Sequence, residues 1–149
     1  MRYFLDCEYN GFGGALLSLA LVPEDGGEEF YVVLPFAGEA NVWVERHVLP
    51  YLHQVPPALR FEADPVTAAL ELANYLRGDP EAEIVADWPE DLALLCRLLM
   101  PGDGEVVDMP GLRLTWARTP GFSTARNSRV PHNALHDARA LRDHLLGME

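Results

Sequence analysis

The sequence predicts an α/β domain in which helices pack on a mixed sheet. Three observations carry this. The chain reads in the order β-β-β, helix, helix, β, helix, β, helix; turn-forming clusters separate its apolar segments; and one helix carries a full set of start and stop signals. With 149 residues, 49% of them hydrophobic, there is material for one sizeable core and too little for two ordinary domains, so residues 1–149 read as a single domain.

The elements follow in order. Residues 2–8 and 14–22 are short apolar stretches separated by Asn10-Gly11-Phe12-Gly13-Gly14, and residues 29–34 follow a second turn at Glu24-Asp25-Gly26-Gly27. This pattern predicts three consecutive strands in an antiparallel meander. From residue 41 to 52 the apolar positions Val42, Trp43, Val44, Val48, Leu49 and Leu52 recur at mixed helical spacing behind a possible Asn41 N-cap, giving a helix that ends near Pro50. Asp64-Pro65, then Val66, Ala69, Leu70, Ala73 and Leu76, then Gly78, supplies an N-cap, a proline in the first turn, an apolar stripe and a glycine stop. Residues 83–86 form a short strand closed by Asp87, and residues 90–100 form a leucine-rich helix stopped by Pro101-Gly102. Residues 112–117 alternate weakly as a last strand. The stripe Ala134, Ala138, Leu141 and Leu145, followed by Gly147, predicts a C-terminal helix over 133–146. Residues 101–131, rich in Pro, Gly, Ser and Thr, read as a long irregular segment suited to a functional loop.

Composition excludes several classes. The apolar runs fall far short of the roughly 20 residues that span a bilayer, and the hydrophobic content is too high for a disordered chain. Acids at Asp6 and Glu8 interrupt the apolar core that an export signal needs, which predicts a cytoplasmic protein with Cys7 and Cys96 reduced. A formal charge of −12 argues against binding nucleic acid chiefly by neutralising phosphates. All of that excess lies in residues 1–100; between Arg113 and Pro131 there are four arginines and no acid, so this segment can either meet a phosphate chain or be a merely solvated surface.

Side chains two apart on a strand share a face, so Asp6 and Glu8 project together. On a solvent-facing edge strand they need no explanation. On a central strand, which the apolar flanks Tyr3-Phe4-Leu5 favour, two like charges at such range need a proton or a cation between them. Asp87, Asp91 and Asp137 stand at strand or helix ends, where acids also serve as ordinary caps. Carboxylates gathered from separate segments are the arrangement that holds Mg²⁺ or Mn²⁺ with open positions. His132, five residues before Asp137, is placed to take a proton beside such a site. His132 and His136 also make an HxxxH spacing, but Asn133 replaces the glutamate of the zinc-protease motif.

Phe4-Leu5-Asp6-Cys7-Glu8 and His132-Asn133-Ala134-Leu135-His136-Asp137-Ala138 together resemble the first and third motifs of the DEDDh 3′-to-5′ exonucleases of the ribonuclease H-like superfamily, and most closely their small bacterial exoribonuclease domains. The segment from Trp43 to Pro50 is similar to theirs as well. The resemblance implies a five-stranded mixed sheet whose second strand is antiparallel to the rest, with helices on both faces. It implies metal-binding carboxylates at Asp6, Glu8 and Asp137, a general base at His132, and two divalent ions, Mg²⁺ or Mn²⁺. The third carboxylate falls on Asp91, with Asp87 as the alternative. The implied substrate is a single-stranded 3′ end, RNA before DNA, hydrolysed to nucleoside 5′-monophosphates. Arg126 and Arg129 are candidates for gripping the strand, and Phe12 and Trp88 for stacking on bases. A homodimer is a possible partner state. Two alternatives stand beside this: a phosphodiesterase acting on very short oligonucleotides, and a non-catalytic nucleic-acid or protein-binding module on the same fold.

Overall fold

The computed structural model describes residues 1–148, so residue 149 of the expected domain lies outside the described residues. Strands β1 (Arg2–Tyr9), β2 (Leu16–Pro23) and β3 (Phe30–Val33) form the antiparallel meander that the turn clusters require. The first turn depends on its glycines. Gly11 and Gly13 hold φ of 74° and 72°, and a Cβ on Gly14 would lie 1.9 Å from the Asn10 carbonyl oxygen. Asn10 then ties this turn to a distant segment, its side chain donating to the Glu39 carbonyl and accepting from the Asn41 amide at 2.7 Å.

Strand β4 (Glu83–Ala86) lies parallel to β1, and β5 (Arg113–Trp116) parallel to β4. The sheet order is β3-β2-β1-β4-β5, five strands of which only β2 runs against the others. The pairing of β1 with β4 runs from Arg2 opposite Glu83 to Phe4 opposite Val85, and β4 ends at Ala86. The second half of β1 therefore has β2 on one side and, among the described residues, no strand on the other. A register shift against β2 at Glu8/Tyr9 reverses the alternation there: Leu16 packs on one face of the sheet and Leu17 and Ala20 on the other.

Helices cover both faces. Helices α2 (Pro65–Leu76) and α3 (Pro89–Leu98) pack over Leu5, Cys7, Leu19, Leu21 and Val32. Helices α1 (Val42–His47) and α5 (Ala134–Leu146) pack over Leu17, Ala20, Val22, Tyr31 and Val33. The cap signals act as read: Asp64 accepts from the Thr67 amide, and Gly147, at φ 67°, closes α5. The stripe of α5 buries Ala134, Leu135, Ala138 and Leu141, the leucines contributing about 2 kcal/mol each. Arg139 pairs with Glu29 through both carboxylate oxygens and pins α5 beside the start of β3.

Two readings differ from what forms. The helix expected to reach Pro50 stops at His47, because a proline ring at 50 collides with the carbonyl four residues back; Leu49–Tyr51 make a 3₁₀ turn instead. The segment read as irregular over 101–131 contains a short helix, α4 (Thr124–Asn127). Among the described residues, no helix is long and apolar enough to cross a membrane.

Candidate functional site

The open half of β1 makes the site. Asp6 and Glu8 lie there on one face, Asp87 directly follows β4, Asp91 stands in the first turn of α3, and Asp137 in the first turn of α5. All five carboxylates and His132 line a single cleft of about 310 Å³ at the carboxyl ends of two adjacent parallel strands. That is where open α/β sheets place their ligand crevices. Among the described residues no arginine lines this cleft.

Glu8, Asp91 and Asp137 are buried, at 9%, 3% and 2% exposure. Asp6 is half-buried as a residue, yet its Oδ2 is sealed from solvent and has no hydrogen-bond partner among the described residues; Asp137 Oδ1 is in the same position. Burial and mutual repulsion make these acids reluctant to ionise. Asp6 is pushed well up by burial and then by Asp91, Asp137, Glu8 and Asp87. Burial, followed by Asp137 and Asp91, lifts Glu8 to about 9; burial, followed by Asp87, lifts Asp91 to about 8. Asp137 rises to about 7, again from burial, with the nearby Ser128 hydroxyl and then the His132 amide holding it down. Asp87 is raised too, by burial.

Buried acceptor atoms without donors need a proton or a cation. Glu8, His132 and Asp137 each offer a ligand atom within 4.8 Å of the others, and this buried group can hold a metal ion. Hard carboxylate oxygens suit Mg²⁺ or Mn²⁺, whereas an imidazole ligand suits a borderline ion such as Zn²⁺. The geometry differs from expectation in one respect. His132, read only as a base, belongs to this group, whereas Asp6, Asp87 and Asp91 line the same cleft outside it.

His132 is held by its surroundings. Among the described residues it is the one non-glycine residue with positive φ, 65°. Histidine visits that region more readily than most residues, and here the turn directs the His132 amide onto Asp137 Oδ2 at 3.1 Å. The next residue, Asn133, is fully buried: its Oδ1 accepts from the Leu135 and His136 amides and its Nδ2 donates to the Tyr51 carbonyl. The His132 ring packs edge-on against Trp43 with centroids 4.8 Å apart, and faces His47 at 6.3 Å. Burial, then the His47 charge, keeps its pKa below 6.5. His136 instead contacts the Gln54 carbonyl at 2.8 Å, so the HxxxH spacing does not converge on the cleft.

The other candidates are dispersed. Trp88 lines the cleft mouth; Phe12, 94% exposed, projects from the tip of the first turn. Arg129 borders a neighbouring cavity with His47 and His132, and Arg126 donates to the Gly121 carbonyl on the surface. Trp43, a wall of the cleft, has no site role in the sequence reading; the available signal is its place at the head of the segment through Pro50 that resembles the exonucleases. No protein-family model matches this chain, and no curated protein matches it.

Proposed function

We propose that this chain is a divalent-metal-dependent 3′-to-5′ exonuclease on a ribonuclease H-like fold, hydrolysing terminal phosphodiesters of single-stranded RNA to nucleoside 5′-monophosphates. The observation that carries the reading is the convergence of Asp6, Glu8, Asp91, Asp137 and His132 on one cleft, with carboxylate oxygens left buried and unpartnered. Their resemblance to the DEDDh motifs supplies the reaction class.

In this reading Asp6, Glu8, Asp91 and Asp137 hold two ions, with Asp87 adding charge from the rim. The ions, when bound, neutralise the carboxylates and supply the Lewis acidity that phosphodiester hydrolysis uses. The chain does the rest. His132, kept neutral near pH 7 by partial burial, accepts a proton from the attacking water; the oxygen of that water bonds to phosphorus as the bond to the 3′ oxygen breaks. Trp43 and the αL turn fix the imidazole's position, so that little reorganisation is left for the reaction itself. With a cleft of about 310 Å³, the acids sit close around one nucleotide.

The test is digestion of 3′-end-labelled RNA and DNA in Mg²⁺ or Mn²⁺, over a series of lengths. Mononucleotide release from the labelled end, abolished by Asp137→Ala and slowed about 10²-fold or more by His132→Ala, is expected. Absence of turnover on every strand with both ions refutes the proposal, and turnover confined to two- or three-nucleotide substrates replaces it with the short-oligonucleotide phosphodiesterase.

A further inference from the structure

Beside the acid cleft lies a second cavity, of about 640 Å³, lined by Asp87, Trp88, Trp116, Arg118, Thr119 and Pro120. The two share Asp87 and Trp88 as lining residues, so the second borders the first. Its walls carry two half-exposed indoles. Trp88 and Trp116 are 53% and 52% exposed, although tryptophan is on average a strongly buried residue. Trp116 ends the edge strand β5, and its indole N–H donates to the Asp87 carbonyl at 3.1 Å, which fixes the ring against the acid-bearing loop. The Arg118 guanidinium lies 5.7 Å from the Trp116 ring centroid, a stacked cation at a cavity wall. Thr119 donates to Asp87 Oδ2 at 3.4 Å and braces the same loop. This stretch belongs to the acid-free, arginine-bearing segment between residues 113 and 131.

We propose that Trp88, Trp116 and Arg118 form a subsite for a single-stranded nucleic acid, the indoles stacking on a base and Arg118 meeting a backbone phosphate, next to the nucleotide held in the acid cleft. The inference rests on the nuclease reading above and extends it to the strand upstream of the cleaved bond. Exposed aromatic faces with an interleaved cation bind single strands with little sequence preference, because every base has a π-face. The cavity exceeds the acid cleft in volume and carries the cation that the acid cleft lacks.

The test is fluorescence anisotropy with 5′-labelled octaadenylate RNA and its DNA counterpart, in Ca²⁺ to hold turnover down, on the full chain. Trp116→Ala is expected to weaken binding between about 5-fold and 160-fold, from the usual worth of one base stack, while Trp116→Phe keeps most of the affinity. Arg118→Ala is expected to reduce the slope of log K against log salt by about 0.7, the signature of one lost single-strand phosphate contact. Circular dichroism of each variant establishes folding. If the unmodified protein binds and digests RNA and the Trp116 and Arg118 variants bind with unaltered affinity and slope, the subsite is wrong and the nuclease reading stands. If the unmodified protein neither binds nor digests, both fall together. A change in sedimentation mass in Trp116→Ala, with RNA affinity intact, overturns the subsite by making this face a contact between copies.

Discussion

Asp137→Asn isolates the electrostatic strain of the cleft. Its Oδ2 accepts from the His132 amide, and an asparagine oxygen accepts the same bond, so the substitution removes charge and little else. The folded pKa is raised, so the folded protein holds this proton more tightly than the unfolded chain. The contribution is then fully present below the unfolded value of 3.8 and is lost as pH rises through the folded value of about 7. At about 1.36 kcal/mol per pH unit the gap amounts to about 4 kcal/mol. Relaxation of Glu8, Asp6 and Asp91, which hold their own protons longer while Asp137 ionises, reduces what is measured to about 2 kcal/mol or more. In EDTA, Asp137→Asn should therefore be more stable than the parent by that amount at pH 8, with most of the gain gone at pH 4. Urea denaturation followed by circular dichroism at both pH values measures it. A variant less stable than the parent at pH 8, or a gain unchanged at pH 4, refutes the claim that buried, crowded carboxylates destabilise this cleft.

Three other outcomes follow from the same structure. Mn²⁺ should raise the melting temperature of the parent more at pH 8 than at pH 5, since protonated acids are poor ligands, and EDTA should reverse the gain; equal shifts at both pH values would place the ion elsewhere. His132→Ala should cost about 10²-fold to 10⁴-fold in kcat, and the acid limb of the parent's pH profile should lie below pH 6.5, because burial and then His47 lower the imidazole pKa; steady-state rates from pH 5 to 9 read both. Gly14→Ala should destabilise by roughly 2 kcal/mol or more, since its Cβ meets the Asn10 carbonyl at 1.9 Å and the turn must open, which urea titration detects.

Some of this was legible from local pattern alone. The helix from Pro65 declares itself because its cap, its proline and its stripe act within a few residues of one another. The strand over Glu83–Ala86 is bounded as its short apolar run suggests, and the meander follows from glycines that few other residues can replace. Alternation put Asp6 and Glu8 on one face without any knowledge of the neighbours. The failures have local causes as well. Proline at 50 ends a helix earlier than its apolar spacing implies, and α4 is too short to show a period.

What only the folded chain decides is proximity. Nothing local to Asp91 or Asp137 distinguishes a capping acid from one facing Asp6, because the distinction depends on β4 ending where β1 continues and on α3 and α5 starting at that same edge. The same holds for His132 and His136. Identical residues four apart part ways, one facing Glu8 and Asp137 and the other the Gln54 carbonyl, because the αL turn at 132 orients the first and the helix orients the second. Local sequence determines which segments are strands and helices through short-range sterics and caps, whereas pKa values, cavities and ligand sets arise from long-range packing, which sums contributions from the whole chain.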